Sequence, residues 1–208
     1  LRNLVRALGA PVASTLMGLG AFPGTDPLSL GMLGMHGTYE ANMAMDGADL
    51  VIALGARFDD RVTNNPDKFS PKATIIHMDV DAASINKIID ADISLLGDGS
   101  WILQQLSTRL EHAMRGLDAV AQKNRAQELN DWWQQLNDWR SANGLNHNIQ
   151  PQAGKPILPQ LAIQSLYKVT KGDAFVSSDV GQHQMFAAQY YHFDDPRRWI
   201  NPGGLRTM

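Results

Sequence analysis

Four short apolar runs constrain this chain most, because each is too short for a typical helix and each stops abruptly in glycine, hydroxyl or carboxylate. They cover residues 11–15, 50–54, 73–78 and 93–96. Between them lie segments with helical spacing. Residues 1–9 put Leu1, Leu4, Val5 and Leu8 on one face, and Gly9 suits a C-cap. Residues 39–45 read as a short helix broken by Asp46-Gly47, and 82–89 as another with Asp81 as N-cap. Residues 101–110 resume the same spacing. Alternating strand and helix predicts an α/β fold with a doubly wound parallel sheet, the four runs supplying strands. In such sheets a ligand lies beyond the carboxyl ends of the strands.

The run ends therefore carry the functional reading. The first closes in Thr15, followed by Leu16, Met17 and Gly18, and the second in Gly55-Ala56-Arg57-Phe58-Asp59-Asp60-Arg61. The third is followed by Asp79-Val80-Asp81 and the fourth by Gly97-Asp98-Gly99. Glycine lets backbone amides approach a ligand, arginine forks onto phosphate, and a carboxylate at a strand end grips ribose hydroxyls. Glycines at 31, 34 and 37, with Met35 and His36 between the last two, add a further glycine-rich stretch. Each aspartate by itself serves as readily as a helix N-cap, and each loop as a solvated surface. Taken together, the ends point to a nucleotide. No GxGxxG is present, so a dinucleotide would be held in another way.

Composition narrows the classes. With 208 residues, 44% hydrophobic and 19% charged, the chain has the make-up of a globular protein with a sizeable core. A net charge of −3 gives no reason to expect nucleic acid or an anionic membrane as partner. The absence of cysteine excludes disulfides, zinc-thiolate sites and thiol nucleophiles, and a reducing, cytoplasmic setting is the expectation. No apolar stretch has the length of a membrane span. The chain begins without methionine, and the expectation is a piece of a longer protein.

From residue 119 to 140 the sequence turns polar and helical, with Leu129, Trp132, Trp133, Leu136 and Trp139 at intervals of three and four. They are read as packing residues. Residues 141–156, rich in asparagine, glycine and proline, read as linker. A second alternating unit follows: helix 158–169, strand 174–177, and helix 185–191. Gly181-Gln182-His183 stands at its strand-to-helix turn, where amide and imidazole donors can face a diphosphate. A single histidine there is more often a capping or packing group.

The phrases STLMGLGAFP, GMLGMHGTYEANMAM, ALGARFDDRVT, HMDVDAASI, SDVGQHQMFAAQYY and RRWINPGGL follow one another along the chain. In that order they resemble the catalytic large subunits of the acetolactate (acetohydroxyacid) synthase family, over almost the whole length. The resemblance implies a Rossmann-like central FAD-binding domain over 1–118, a helical linker over 119–155 and the start of a thiamine-diphosphate-binding domain over 156–208. It implies condensation of two pyruvates, or of pyruvate and 2-oxobutyrate, with loss of carbon dioxide, at the head of branched-chain amino-acid synthesis. Thiamine diphosphate and magnesium supply that chemistry in the family, and FAD takes no net redox part. A homodimer or higher homo-oligomer and a small regulatory subunit are implied as well.

Carried over by position, Thr15, Leu16, Met17, Met35, His36, Gly55 and Arg57 match flavin contacts. Asp79, Val80, Asp98 and Gly99 match the holders of its adenosine part. Gln182 and His183 match contacts of thiamine diphosphate. Asp60 and Arg61 resemble residues lining the substrate approach, so no acid/base catalyst and no metal ligand is expected within this piece. The thiamine-activating glutamate and the magnesium ligands are expected outside it. Gly97-Asp98-Gly99-Ser100 imitates the metal motif of thiamine enzymes, but it precedes Gln182-His183, whereas the family's metal motif follows that block. Arg206 stands where the family has glycine. Two alternatives are another FAD-containing thiamine enzyme, such as glyoxylate carboligase, and a non-catalytic nucleotide-binding module.

Overall fold

The computed structural model describes residues 1–202, so Arg206 lies outside the described residues. In chain order the first elements are α1 (Arg2–Leu8), β1 (Val12–Ser14), β2 (Ser29–Met32), α2 (Tyr39–Gly47), β3 (Leu50–Leu54), α3 (Asp60–Thr63) and β4 (Thr74–Asp79). They are followed by β5 (Ile93–Leu96), α4 (Gly99–Arg115), α5 (Ala119–Asn143), α6 (Pro159–Thr170), β6 (Val176–Ser177), α7 (Gln182–Tyr190) and β7 (Trp199–Ile200). The chain divides into two compact units, Leu1–Pro11 with Asn42–Ala142, and Val12–Ala41 with the chain from Asn143. It is a mixed α/β protein with parallel strands, the class that the alternation of runs implies.

The first unit is built on a parallel sheet in the order β3-β4-β5. Leu54 lies opposite Met78, and Asp79 opposite Leu96. One face of the sheet packs Val51, Ala53 and Ile75 against Phe58 and Ile89. The polar helix α5 contributes through the face that its spacing marks. Leu136 is only 1% exposed, and the Trp132 and Trp139 rings meet edge to face at 5.8 Å. Trp133 Nε1 donates to the Gly9 carbonyl at 2.8 Å, and the Arg125 guanidinium donates to the Leu8 carbonyl. These carbonyls close α1, whose last turn leaves acceptors unpaired within the helix. The tryptophan-rich face thus packs and also caps.

Residues 82–89 are a succession of turns instead of the expected helix. The Asp81 carboxylate takes the Ala83 N–H at 2.9 Å and the Ser84 hydroxyl at 3.1 Å, an arrangement that competes with helical bonding. Asn86 then enters the left-handed region at φ 56°, and its side chain accepts from the Ala91 N–H at 2.9 Å. Three β-branched residues, Ile85, Ile88 and Ile89, gain little from a helix here.

The first apolar run also departs from expectation. It does not join β3-β4-β5 but pairs in parallel with β2 in the second unit. β2 was hidden by its glycines, yet Leu30 and Met32 alternate into the core as a half-buried strand requires. The second unit adds the parallel pair β6-β7 and helices α6 and α7. Its core gathers Met32, Ala187, Ala188, Tyr191, Phe193 and Trp199. Tyr191 and Phe193 ring centroids are 4.9 Å apart, and Phe193 and Trp199 centroids 5.2 Å. Gly20, at φ 87°, passes so close to the segment after them that an added Cβ would lie 2.3 Å from the Asp195 carbonyl oxygen.

Two outcomes follow from this packing. Gly20→Ala must move backbone and occupy a strained φ, so it lowers stability by about 1–3 kcal/mol in denaturant unfolding. His192 lies between the His147 ring at 5.0 Å and the Tyr167 ring at 5.2 Å. Burial pushes its pKa below the ordinary histidine value, and the Asp194 charge offsets part of that. Below about pH 6.5 the unfolded histidine takes a proton that the folded one refuses, so stability falls with pH from there. The slope is at most about 1.4 kcal/mol per pH unit, and His192→Phe flattens it in thermal unfolding between pH 7.5 and 5.

Candidate functional site

The ends of β3, β4 and β5 meet along one edge because the ladder fixes their register. The Gly55 N–H donates to the Met78 carbonyl at 2.8 Å, and the Gly97 N–H to the Asp79 carbonyl at 3.0 Å. Gly55 therefore follows the last paired residue of β3, Asp79 is the last paired residue of β4, and Asp98 lies two residues past the last paired residue of β5. Gly55 turns at φ 60°, and a Cβ built on it or on Gly99 meets nothing within 4 Å. These two positions offer open backbone.

Each charged group at this edge has a local reason for its place. Asp98 is the N-cap of α4 and accepts the Trp101 N–H at 2.9 Å, so the capping role that the sequence leaves open is real. Asp79 Oδ1 accepts the Asp81 N–H at 2.8 Å, leaving its side chain 9% exposed. Val80, next to it, is 76% exposed. Arg57 Nη2 reaches Asp59 Oδ2 at 3.1 Å while 68% of its side chain faces solvent.

Asp59 caps α3 and ties the loop together. A hydrogen bond with the Asp60 carboxyl, the Arg61 N–H and the Arg57 and Arg61 charges hold its carboxyl below the usual carboxylate range. Asp60 and Arg61 occupy the first turn of α3, exposed, with 3.7 Å between Arg61 Nε and Asp60 Oδ2.

The remaining expected residues belong to the second unit. Thr15 caps the 3₁₀ turn Leu16–Gly18, its Oγ1 accepting the Gly18 N–H at 3.1 Å. Met17 is exposed. Met35 and His36, both exposed, lie in the turn between β2 and α2. That turn is tight: an added Cβ on Gly37 would lie 2.5 Å from the Met32 carbonyl oxygen. Gln189 of α7, which the sequence did not single out, donates to the His36 carbonyl at 2.8 Å. Gln182 and His183 start α7, one residue past the N-cap Gly181. Gly181 has φ 152° and ψ −173°, a glycine conformation, and the His183 ring lies so near that an added Cβ would be 2.9 Å from it.

Three further observations bound the chemistry. Among the described residues no group of three or more His, Cys, Asp or Glu side chains could hold a metal ion. Among them no helix is long and apolar enough to cross a membrane. The structure gathers Gly55, Arg57, Asp79, Val80, Asp98 and Gly99 on one sheet edge, whereas Thr15, Leu16, Met17, Met35, His36, Gln182 and His183 lie in the other unit.

Comparison with known proteins gives these placements a frame. Residues 1–106 match the family described as thiamine pyrophosphate enzyme, central domain. Residues 179–208 match thiamine pyrophosphate enzyme, C-terminal TPP binding domain. The chain is 52% identical, over its full length, to the acetolactate synthase isozyme 3 large subunit of Escherichia coli. It is 45% identical over 99% of its length to the acetolactate synthase large subunit of Haemophilus influenzae. It is 46% identical over its full length to acetolactate synthase 1, chloroplastic, of Nicotiana tabacum. The chain spans 34%, 34% and 30% of these relatives respectively, about a third of their length.

The Gln189 bond is a simple test of the second unit. Gln189→Ala removes one hydrogen bond that holds the 33–38 turn, costing about 1 kcal/mol, and the amides of that turn then exchange faster by mass spectrometry.

Proposed function

Because the chain belongs to the thiamine pyrophosphate enzyme family, we propose that it is the central domain and the start of the thiamine-binding domain of an acetolactate synthase large subunit. The reaction is the condensation of two pyruvates, or of pyruvate with 2-oxobutyrate, with loss of carbon dioxide. Similarity that runs along this chain and covers about a third of proteins of that name supports it. Thiamine diphosphate, when bound, would supply a nucleophilic ylid carbon and a cationic thiazolium ring that serves as electron sink. Gln182 and His183, at the N-terminus of α7, meet its diphosphate with donors and the positive end of the helix dipole. Asp60 and Arg61 line the approach of the 2-oxo acid, where an exposed guanidinium suits a carboxylate. They admit and orient; neither moves a proton in the reaction.

FAD is the second proposed ligand, and the open edge of β3-β4-β5 is the observation that carries it. Gly55 and Gly99 leave backbone room where side chains would otherwise stand, and Asp79 and Asp98 offer acceptors to ribose hydroxyls between them. Val80 lays an exposed apolar surface beside the adenine, and Arg57 faces the diphosphate. Thr15, Leu16, Met17, Met35 and His36 are the proposed contacts of the flavin portion. Magnesium accompanies the thiamine diphosphate, with no ligand assigned among the described residues. A homodimer or larger homo-oligomer, a small regulatory subunit and a cytoplasmic location complete the proposal.

Gly99→Leu tests the nucleotide site, because the added side chain enters open space at a helix N-terminus. Stability changes by no more than about 0.5 kcal/mol, and FAD binding measured by fluorescence quenching weakens at least about tenfold. These 208 residues alone are expected to form no acetolactate, so the activity is tested by acetolactate formation from pyruvate by a complete large subunit that contains them, with thiamine diphosphate and magnesium. Condensation of glyoxylate in place of pyruvate would assign the chain to a carboligase, and nucleotide binding without either reaction to a non-catalytic module.

A further inference from the structure

His77 of β4 is fully buried, yet neither of its ring nitrogens has a hydrogen-bond partner. Buried polar atoms are almost always paired, so such a group calls for an explanation. Its surroundings supply one. Strand residues two apart share a face, which puts His77 directly behind Asp79. Nε2 lies 3.9 Å from Asp79 Oδ2, too long for a hydrogen bond but closed by a small turn of the carboxylate. Oδ1 of the same carboxylate is already fixed by the Asp81 N–H at 2.8 Å. On its other side the imidazole stands edge to face on Phe58 at 4.9 Å. Phe58 is buried at φ 52°, between Arg57 and Asp59 in the loop after β3. One buried ring thus touches the supports of two strand ends.

We infer that His77 is the positioning residue of the adenosine site: it donates from Nε2–H to Asp79 Oδ2 when a ribose engages that carboxylate. Its contact with Phe58 sets the loop of Arg57 at the same time. This rests on the flavin-nucleotide reading and adds to it a residue that touches no ligand. A ribose hydroxyl drawing on one lone pair turns the carboxylate, and the imidazole then supplies the donor that keeps it in place. The donor is the Nε2–H, and Nδ1 is buried without a hydrogen-bond partner.

The test uses the full polypeptide and two probes, FAD and ADP, titrated by calorimetry. His77→Phe keeps the ring on Phe58 and weakens both probes about tenfold, the effect of one hydrogen bond to a charged group. His77→Gln, which places an amide N–H where Nε2 stands, restores affinity to within about threefold. The double variant with Asp79→Asn binds no more weakly than Asp79→Asn alone, because the two residues act as one unit. In the wild type, 15N spectra show His77 with its proton on Nε2 and a shift of that resonance on adding ADP. Wild-type affinity in His77→Phe, with Asp79→Asn still weak, makes the histidine a core filler and leaves the nucleotide reading standing. Additive losses in the double variant overturn the inference, and so does an Nε2 without its proton in the wild-type ADP complex, a readout that stands even where His77→Phe fails to fold. No binding of FAD or ADP by the wild type overturns both readings.

Discussion

The register of the β3-β4-β5 ladder is the constraint on which the rest depends. Parallel strands fix neighbours residue by residue, so one bond from Gly55 to Met78 and one from Gly97 to Asp79 decide where three loops begin. Side chains alternate with period two, and a slip of one residue would send Asp79 and His77 to the opposite face, where Met78 is packed. The apolar residues that hold the register, Val51, Ala53 and Ile75, lie just below the polar tips. Burial of one face thereby aligns groups that share no hydrogen bond with one another.

Above that level the chain gives up local comfort. Gly55 and Phe58 both adopt positive φ within four residues, and Arg57, with 68% of its side chain exposed, is held chiefly by Asp59. A surface ion pair of this kind contributes little to stability. Its geometry matters more, since the neighbours that hold the Asp59 carboxyl below the usual carboxylate range keep its negative charge beside the guanidinium further into acid. The capping aspartates do two things at once. Asp98 starts α4 by taking the Trp101 N–H, and it retains further lone pairs toward the open edge.

Much of this was legible in the residues. The runs 50–54 and 93–96 coincide with β3 and β5 because short apolar segments bounded by turn residues have few alternatives. The left-handed C-cap at Gly9 and the packing face of Leu136, Trp132 and Trp139 follow from spacing alone. What escaped was set by competition or by distance. In 82–89, side-chain bonds from Asp81 and Asn86 outweigh a helical pattern too short to nucleate itself. β2 carries no strand signal of its own, because Gly31 and Gly34 mask a strand whose burial shows only at Leu30 and Met32. Pairing partners such as β6 with β7 depend on non-local contacts that no window of sequence displays.

His77 illustrates why chemistry-bearing residues can escape a reading of strand ends. Within the third run it looks like one more strand residue, flanked by isoleucine and methionine. Its surroundings are decided by Phe58, nineteen positions earlier in the chain (77 against 58), folding back at a positive φ. An apolar ring in its place would satisfy the core at lower desolvation cost. Retaining an imidazole with two unpaired nitrogens is uneconomical for packing alone, and becomes reasonable only where a neighbour changes its demand. Asp79 is that neighbour, since its carboxylate lies at the boundary between the dry face of the sheet and the edge proposed to receive a ribose. A donor kept in the dry layer strengthens with its low dielectric, so a single proton there can hold a carboxylate that solvent-exposed partners would leave mobile.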